Sequence, residues 1–244
     1  MTKVSDSEIL ITGANRGIGK ALVDEALRRG ARRVYAAMRV PVPHADERVT
    51  PLTLDITDAD QIQRAVDAVE SLDILVNNAG VAIYDDLTDR AVIQQHLDVN
   101  LFGPLTVAHA FLPLLTRSQG AIVNNISMNG IAAFPLVPGY SVSKAAAFSM
   151  TQSLRAQLAD QGIRVHAALT GPTDTEMSRE FDALKATAAH VARAIFDGFE
   201  ADEDDIFPDP VSAVLAEGWR SGVANGVATE FASIAHALRN SPAA

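Results

Sequence analysis

Thr12-Gly13-Ala14-Asn15-Arg16-Gly17-Ile18-Gly19 is the stretch on which the fold turns. It follows a short apolar run, Glu8–Thr12, and opens a helical pattern over Gly17–Arg29. Glycines at such a turn let the backbone approach a pyrophosphate closely. The helix N-terminus then offers free N–H groups and a favourable dipole to the anion. Glycine is common in turns for other reasons; its place between the first strand and the first helix gives it a nucleotide-binding meaning here. The spacing is GxxxGxG, not GxGxxG. Gly13, Asn15, Arg16, Gly17, Ile18 and Gly19 are therefore the first candidate cofactor contacts.

Outward from this turn the pattern repeats. Arg33–Ala37, Thr53–Leu54 with its neighbours, Asp73–Val76, Ala121–Ile126 and Ile163–Leu169 read as strands, mostly apolar on both faces. Asp58–Ser71, Asp89–Thr116, Tyr140–Asp160 and Ala186–Phe199 read as helices between or after them. The alternation predicts an α/β protein: a single Rossmann-like domain over 1–244, a doubly wound parallel sheet with helices on both faces. Residues from about 175 to 244 form the variable substrate-loop and C-terminal part, with one more strand and short helices from Ile206. The acidic run Glu200–Asp205 reads as a solvated end; a calcium loop would need a glycine and a distal glutamate that it lacks.

Composition narrows the classes. The chain has 244 residues, a formal charge of −10 and no cysteine. That balance argues against nucleic-acid binding, and it excludes disulfides and thiolate chemistry. Met1–Ser7 lacks a signal-peptide core, and no apolar run reads as a membrane span. The expectation is a cytoplasmic protein without a membrane or nucleic-acid partner. The six histidines have no ligand spacing, so no metal is expected; His109 and His166 read as structural.

Two further features carry chemistry. An NAD site places an acid about 20 residues beyond the glycine turn. Here the position holds Arg39, preceded by Met38, and a cation there suits the 2′-phosphate of NADP(H). Tyr140 and Lys144 stand four apart on one helix face. A phenol that exchanges a proton with an alcohol at neutral pH needs a nearby positive charge to lower its pKa, and Lys144 supplies one.

In this order and spacing the motifs resemble the short-chain dehydrogenase/reductase family, classical type, over about Ile9 to Met177. Beside TGANRGIG, Asp55 in Leu54-Asp55-Ile56-Thr57 matches the adenine contact. Asn77-Asn78-Ala79-Gly80 matches the NNAG that supports the sheet and lines the cofactor. Asn100, Ser127, Tyr140 and Lys144 match the catalytic tetrad, and Gly171, Thr173 and Thr175 match the loop at the nicotinamide carboxamide. The resemblance implies that Tyr140 exchanges the proton and that Ser127 binds the substrate oxygen. Lys144 would hold the nicotinamide ribose and depress the tyrosine pKa, and Asn100 would fix a water in a proton path. The implied activity is NADP(H)-dependent interconversion of a ketone or aldehyde and an alcohol.

Other readings stay open at this point: a silent NADP(H)-binding regulator, or an imine reductase or epimerase on the same scaffold. Singly, Asn100 could bend a helix, Asn77 and Asn78 could satisfy a strand end, and Ser127 could sit in a turn. Thr170 replaces the proline usual before Gly171. Phe134–Pro138, Ile83 and Tyr84 are candidates for an apolar substrate pocket. The tail lacks the closing strand and glycine-rich segment of many tetrameric members, so the expected homo-oligomer is a dimer or a tetramer.

Overall fold

The computed structural model describes residues 2–180 and 184–240. Six strands supply most of the central sheet: β1 (Glu8–Thr12), β2 (Arg33–Met38), β3 (Val49–Thr53), β4 (Ile74–Asn77), β5 (Ala121–Asn125) and β6 (Arg164–Ala168). Two short strands, β7 (Thr173–Asp174) and β8 (Ala186–Thr187), pair with each other outside that sheet, and β9 (Asp205–Ile206) closes its far edge. The order is β3-β2-β1-β4-β5-β6-β9, parallel throughout. The chain runs outward from β1 in one direction and then restarts beside it at β4, which makes the β1/β4 crevice the topological switch point.

Alternate residues of each strand feed two cores. Ile9, Ile11, Val34 and Val123 meet helix α1 (Gly17–Arg28) and helix α6 (Ala188–Glu200), through Leu22, Val23, Ile195 and Phe199. Leu10, Tyr35, Leu75 and Ile122 meet α2 (Ala59–Ala68), α4 (Gly103–Ser118) and α5 (Pro138–Leu158), through Ile62, Phe111, Leu115 and Leu154. Burial on both faces is why the strands read as unbroken apolar runs.

The helix predicted over Asp89–Thr116 is α3 (Arg90–Leu97) joined to α4 by a π-helical turn, Asp98–Phe102. Asp89 caps its start, accepting from Ala91 N at 2.8 Å. By length and composition the run Arg90–Ser118, with a window of mean hydropathy 1.4, is long and apolar enough to cross a membrane, as the buried core helix of a folded domain also is. Val107, Phe111 and Leu115 lie fully buried against the sheet, which accounts for its apolarity.

The tail also differs from expectation. Beyond α7 (Pro210–Ala213) and α8 (Ala216–Arg220), α9 (Val223–Asn240) is a long helix, not a short one. The acidic run is solvated at Asp202 and Asp204, which are exposed, but its acids are also paired. Glu200 pairs with Arg29, Asp202 with Arg164, Glu203 with Arg220 and Asp205 with Arg155, so the acids bind the sheet edge to its surroundings.

Candidate active site

Four strand ends build the site. Thr12 Oγ1, at the end of β1, accepts from the backbone N–H groups of Asn78 (2.9 Å) and Ala79 (3.0 Å), which fastens the NNAG turn beside the glycine turn. Asn78 Nδ2 donates to Thr12 O at 3.0 Å, and Asn78 Oδ1 accepts from Asn125 Nδ2 at 3.0 Å. Thr170 Oγ1 donates to Asn125 Oδ1 at 2.6 Å. One hydrogen-bonded chain thus crosses the C-terminal ends of β1, β4, β5 and β6. Thr170, the departure from the family proline, is the member that ties in β6.

The glycine turn has the geometry of a cradle. Gly13 holds a left-handed φ of +67°, and a Cβ there would lie 3.0 Å from Ala79 Cα. A Cβ at Gly19 would fall 2.1 Å from Gly13 O, so any side chain would push strand and helix apart. No side chain caps α1, and its first turn holds no acid. The donors of that turn remain available to an anion, as a pyrophosphate site needs.

Around this cradle, Asn15 and Arg16 are exposed and Ile18 packs against the core. Arg16 is not free: it pairs with Glu176 on the β7–β8 segment. Arg39 is exposed just beyond β2, where Leu54 N bonds back to Met38 O. Asp55 accepts from Thr57 N (2.9 Å) and Thr57 Oγ1 (2.7 Å) in a local turn. Thr175 reaches the glycine turn, its Cγ2 lying 3.2 Å from where a Gly17 Cβ would stand. Thr173 Oγ1 donates to Gly171 O at 3.1 Å.

The tetrad residues converge beside the cradle. The π turn carries Asn100 inward, almost wholly buried. Its Oδ1 accepts from Val81 N and its Nδ2 donates to Val81 O and Ser143 Oγ, each at 2.9 Å. Ser143 in turn donates to Tyr140 O at 2.7 Å, so Asn100 braces the helix that bears the tyrosine. Lys144 Nζ donates to Asn125 O at 3.1 Å and lies 5.6 Å from the centre of the Tyr140 ring. Gly80 keeps this corner open, since a Cβ there would lie 3.0 Å from Asn100 Oδ1 and 3.7 Å from Lys144 Nζ. A cavity of about 10 Å³, the size of one water, sits behind Lys144 between Asn77, Asn100 and Asn124. Asn77 Oδ1 is buried there without a partner.

Burial dominates the electrostatics of the two titratable groups, Tyr140 and Lys144. Burial of its hydroxyl pushes the Tyr140 phenol up to about 12, a rise that the Ser127 hydrogen bond opposes without cancelling. Burial also pushes the Lys144 ammonium itself down, to about 8. The two groups share one poorly solvated site, and desolvation penalises the charged form of each.

Residues 7–186 match the model of the short chain dehydrogenase family. The chain belongs to that family. The short-chain dehydrogenase srdE of Neurospora crassa is 36% identical over 187 residues, 72% of this chain and 64% of its own length, so the chain spans less than two thirds of that relative. The oxidoreductase UcpA of Salmonella typhimurium is 34% identical over 193 residues, 73% of each chain. Among solved structures, a short-chain dehydrogenase from Burkholderia cenocepacia in complex with NADP has a TM-score of 0.83 at 35% identity, covering 90% of this chain and 95% of that one. ElxO with NADP bound has a TM-score of 0.72 at 28% identity, covering 82% and 92%.

Several residues of the site escape a reading of motifs. Asp85, in the segment after NNAG, accepts from Gly139 N at 3.1 Å and so caps α5, whose own N-cap Val137 has no side-chain acceptor. His96 is fully buried and stands edge-on to the Tyr140 ring, centroids 6.2 Å apart. Asp209, also buried, accepts from Gly171 N at 2.6 Å and Ser212 Oγ at 2.7 Å, anchoring the Gly171 loop to the tail. Asp209-Pro210-Val211-Ser212 does carry a helix-start signature. The spacing of His96, one turn before Asn100, was the one hint of its place.

Proposed function

We propose that the protein is an NADP(H)-dependent oxidoreductase that interconverts a ketone or aldehyde and an alcohol, with Tyr140 as proton donor and acceptor. The observation that carries this reading is the meeting of Tyr140 and Lys144 with Asn100, beside an uncapped helix N-terminus at the sheet's switch point. The cradle at Gly13, Gly17 and Gly19 fits a dinucleotide pyrophosphate. Lys144 would hold the nicotinamide ribose hydroxyls, Asp55 the adenine, and Gly171, Thr173 and Thr175 the carboxamide side. When bound, NADPH supplies the hydride and NADP⁺ accepts it.

In reduction, Ser127 donates a hydrogen bond to the carbonyl oxygen where negative charge develops, and Tyr140 passes its phenolic proton to the same oxygen. A phenol held protonated is the right form for that direction. Reversal requires the phenolate, which positive charge at the site favours. The one-water cavity between Lys144 and the asparagines offers the start of a proton path past Asn100.

NADP(H) is favoured over NAD(H) because exposed Arg39 stands where an acid would bind the ribose 2′-OH, and because the similar Burkholderia protein holds NADP. Exposed Tyr84, Leu136 and Met177, on segments bordering the site, suit an apolar substrate. The reading takes 1–244 as one catalytic domain acting in the cytoplasm as a homodimer or homotetramer. Consumption of NADPH and NADH, followed against a panel of ketones and aldehydes, tests it. Turnover that prefers NADPH is expected; binding of NADPH without turnover of any carbonyl would refute it.

A further inference from the structure

The segment after NNAG is pinned at alternate residues. Val81 is held at both its N–H and its C=O by Asn100. Ile83 N donates to His96 Nε2 at 2.9 Å. Asp85 closes the series by accepting from Gly139 N, at the residue before Tyr140. These three ties join the helix that carries Asn100 to the helix that carries Tyr140, and the middle one is an imidazole.

The chemistry of that middle tie is restrictive. A backbone N–H can only donate, so Nε2 must present its lone pair to Ile83. The single ring proton then sits on Nδ1, which lies near the Val92 carbonyl one turn back but outside hydrogen-bond geometry. A second proton on Nε2 would set donor against donor, and the tie to Ile83 would break. From α5 the imidazole faces the Tyr140 ring, edge-on with an interplanar angle of 67°. The charged group that faces it is Asp85, on the pinned segment itself, and it favours protonation. Burial opposes protonation more strongly and holds the imidazole below the usual histidine range.

We infer that His96 is a positioning residue for Tyr140 and for the substrate-side wall Val81–Asp85, and that it serves only as the neutral, Nδ1-protonated tautomer. Its protonation in acid releases Ile83 and sets the acid limit of activity. The part that concerns turnover rests on the reaction proposed above; the tautomer does not.

Nitrogen-15 NMR of the imidazole in the protein without substrate tests the tautomer directly. The expected result is Nδ1–H at pH 7, remaining neutral to below pH 6.5. Proton occupancy on Nε2 at pH 7 overturns the inference, whether or not the protein turns over a carbonyl. His96→Gln retains an acceptor near the Nε2 position without titrating. It is expected to keep kcat within about threefold at pH 7.5 and to lose the acid limb of the pH profile. His96→Phe keeps a ring edge but strands the Ile83 N–H; kcat is expected to fall about tenfold, with NADPH affinity little changed. An acid limb that persists unaltered in His96→Gln, or equal losses in both variants, overturns the positioning role. The expected tautomer together with no carbonyl turnover would refute the assigned reaction and leave the anchor standing.

Discussion

Replacing Lys144 by methionine is expected to stabilise the folded protein while removing its turnover. Lys144 is 5% exposed, and burial lowers its pKa from 10.5 to about 8. At about 1.4 kcal/mol per unit, holding that charge at pH 7 costs the fold about 3 kcal/mol. Against this stand the hydrogen bond to Asn125 O and the cation above the Tyr140 ring, together about 1–2 kcal/mol. Methionine fills nearly the same volume without a charge, so Lys144→Met should gain about 1–2 kcal/mol at pH 7. The gain depends on pH with a definite sign. The folded pKa lies below the unfolded one, so between about 8 and 10.5 the unfolded chain binds more protons. Wild type therefore gains stability on the variant as pH rises through that window. Urea unfolding of both proteins at pH 7 and pH 10.5 reads the difference. A variant less stable than wild type at pH 7, or a difference that ignores pH, would refute the reasoning.

Other outcomes follow from single groups. Arg39→Asp should weaken NADPH binding at least tenfold and improve NADH binding, by replacing a cation for the 2′-phosphate with an acceptor for the 2′-hydroxyl; equal NADPH affinity in a fluorescence titration would contradict the role of Arg39. Asp209→Ala leaves Gly171 N and Ser212 Oγ without their acceptor and should cost about 2–4 kcal/mol in chemical unfolding, with a raised KM for NADPH; a near-neutral change would mean the Gly171 loop is held by something else. In a difference absorbance titration between wild type and Tyr140→Phe without cofactor, the phenol should ionise well above pH 10; ionisation near or below 10 would contradict the dominance of burial at this hydroxyl.

The sheet was legible because its strands are buried on both faces, so apolar runs and intervening helices announced themselves. The candidate residues Asn100, Ser127, Tyr140 and Lys144 were legible because they belong to short local motifs in fixed order. What stayed hidden depends on distant partners. The π turn at Asp98–Phe102 interrupts neither apolarity nor helical period, so it reads as plain helix. His96 looked like any helix histidine until the fold set Ile83 against one side and Tyr140 against another. Thr170 looked like a defect in a motif and proved to be a hydrogen-bond donor to Asn125. The charges that would lower the tyrosine pKa, Lys144 and oxidised nicotinamide, are legible from the motif; the desolvation that raises it depends on how deeply the fold buries the site.

The central claim is that Tyr140 gives the proton to a substrate oxygen in a site that binds NADPH without its help. The most direct test is turnover of a carbonyl substrate by wild type and Tyr140→Phe, with NADPH affinity measured in both. The account predicts a fall in kcat of at least a hundredfold at nearly unchanged NADPH affinity. A variant that turns over at the wild-type rate would contradict it.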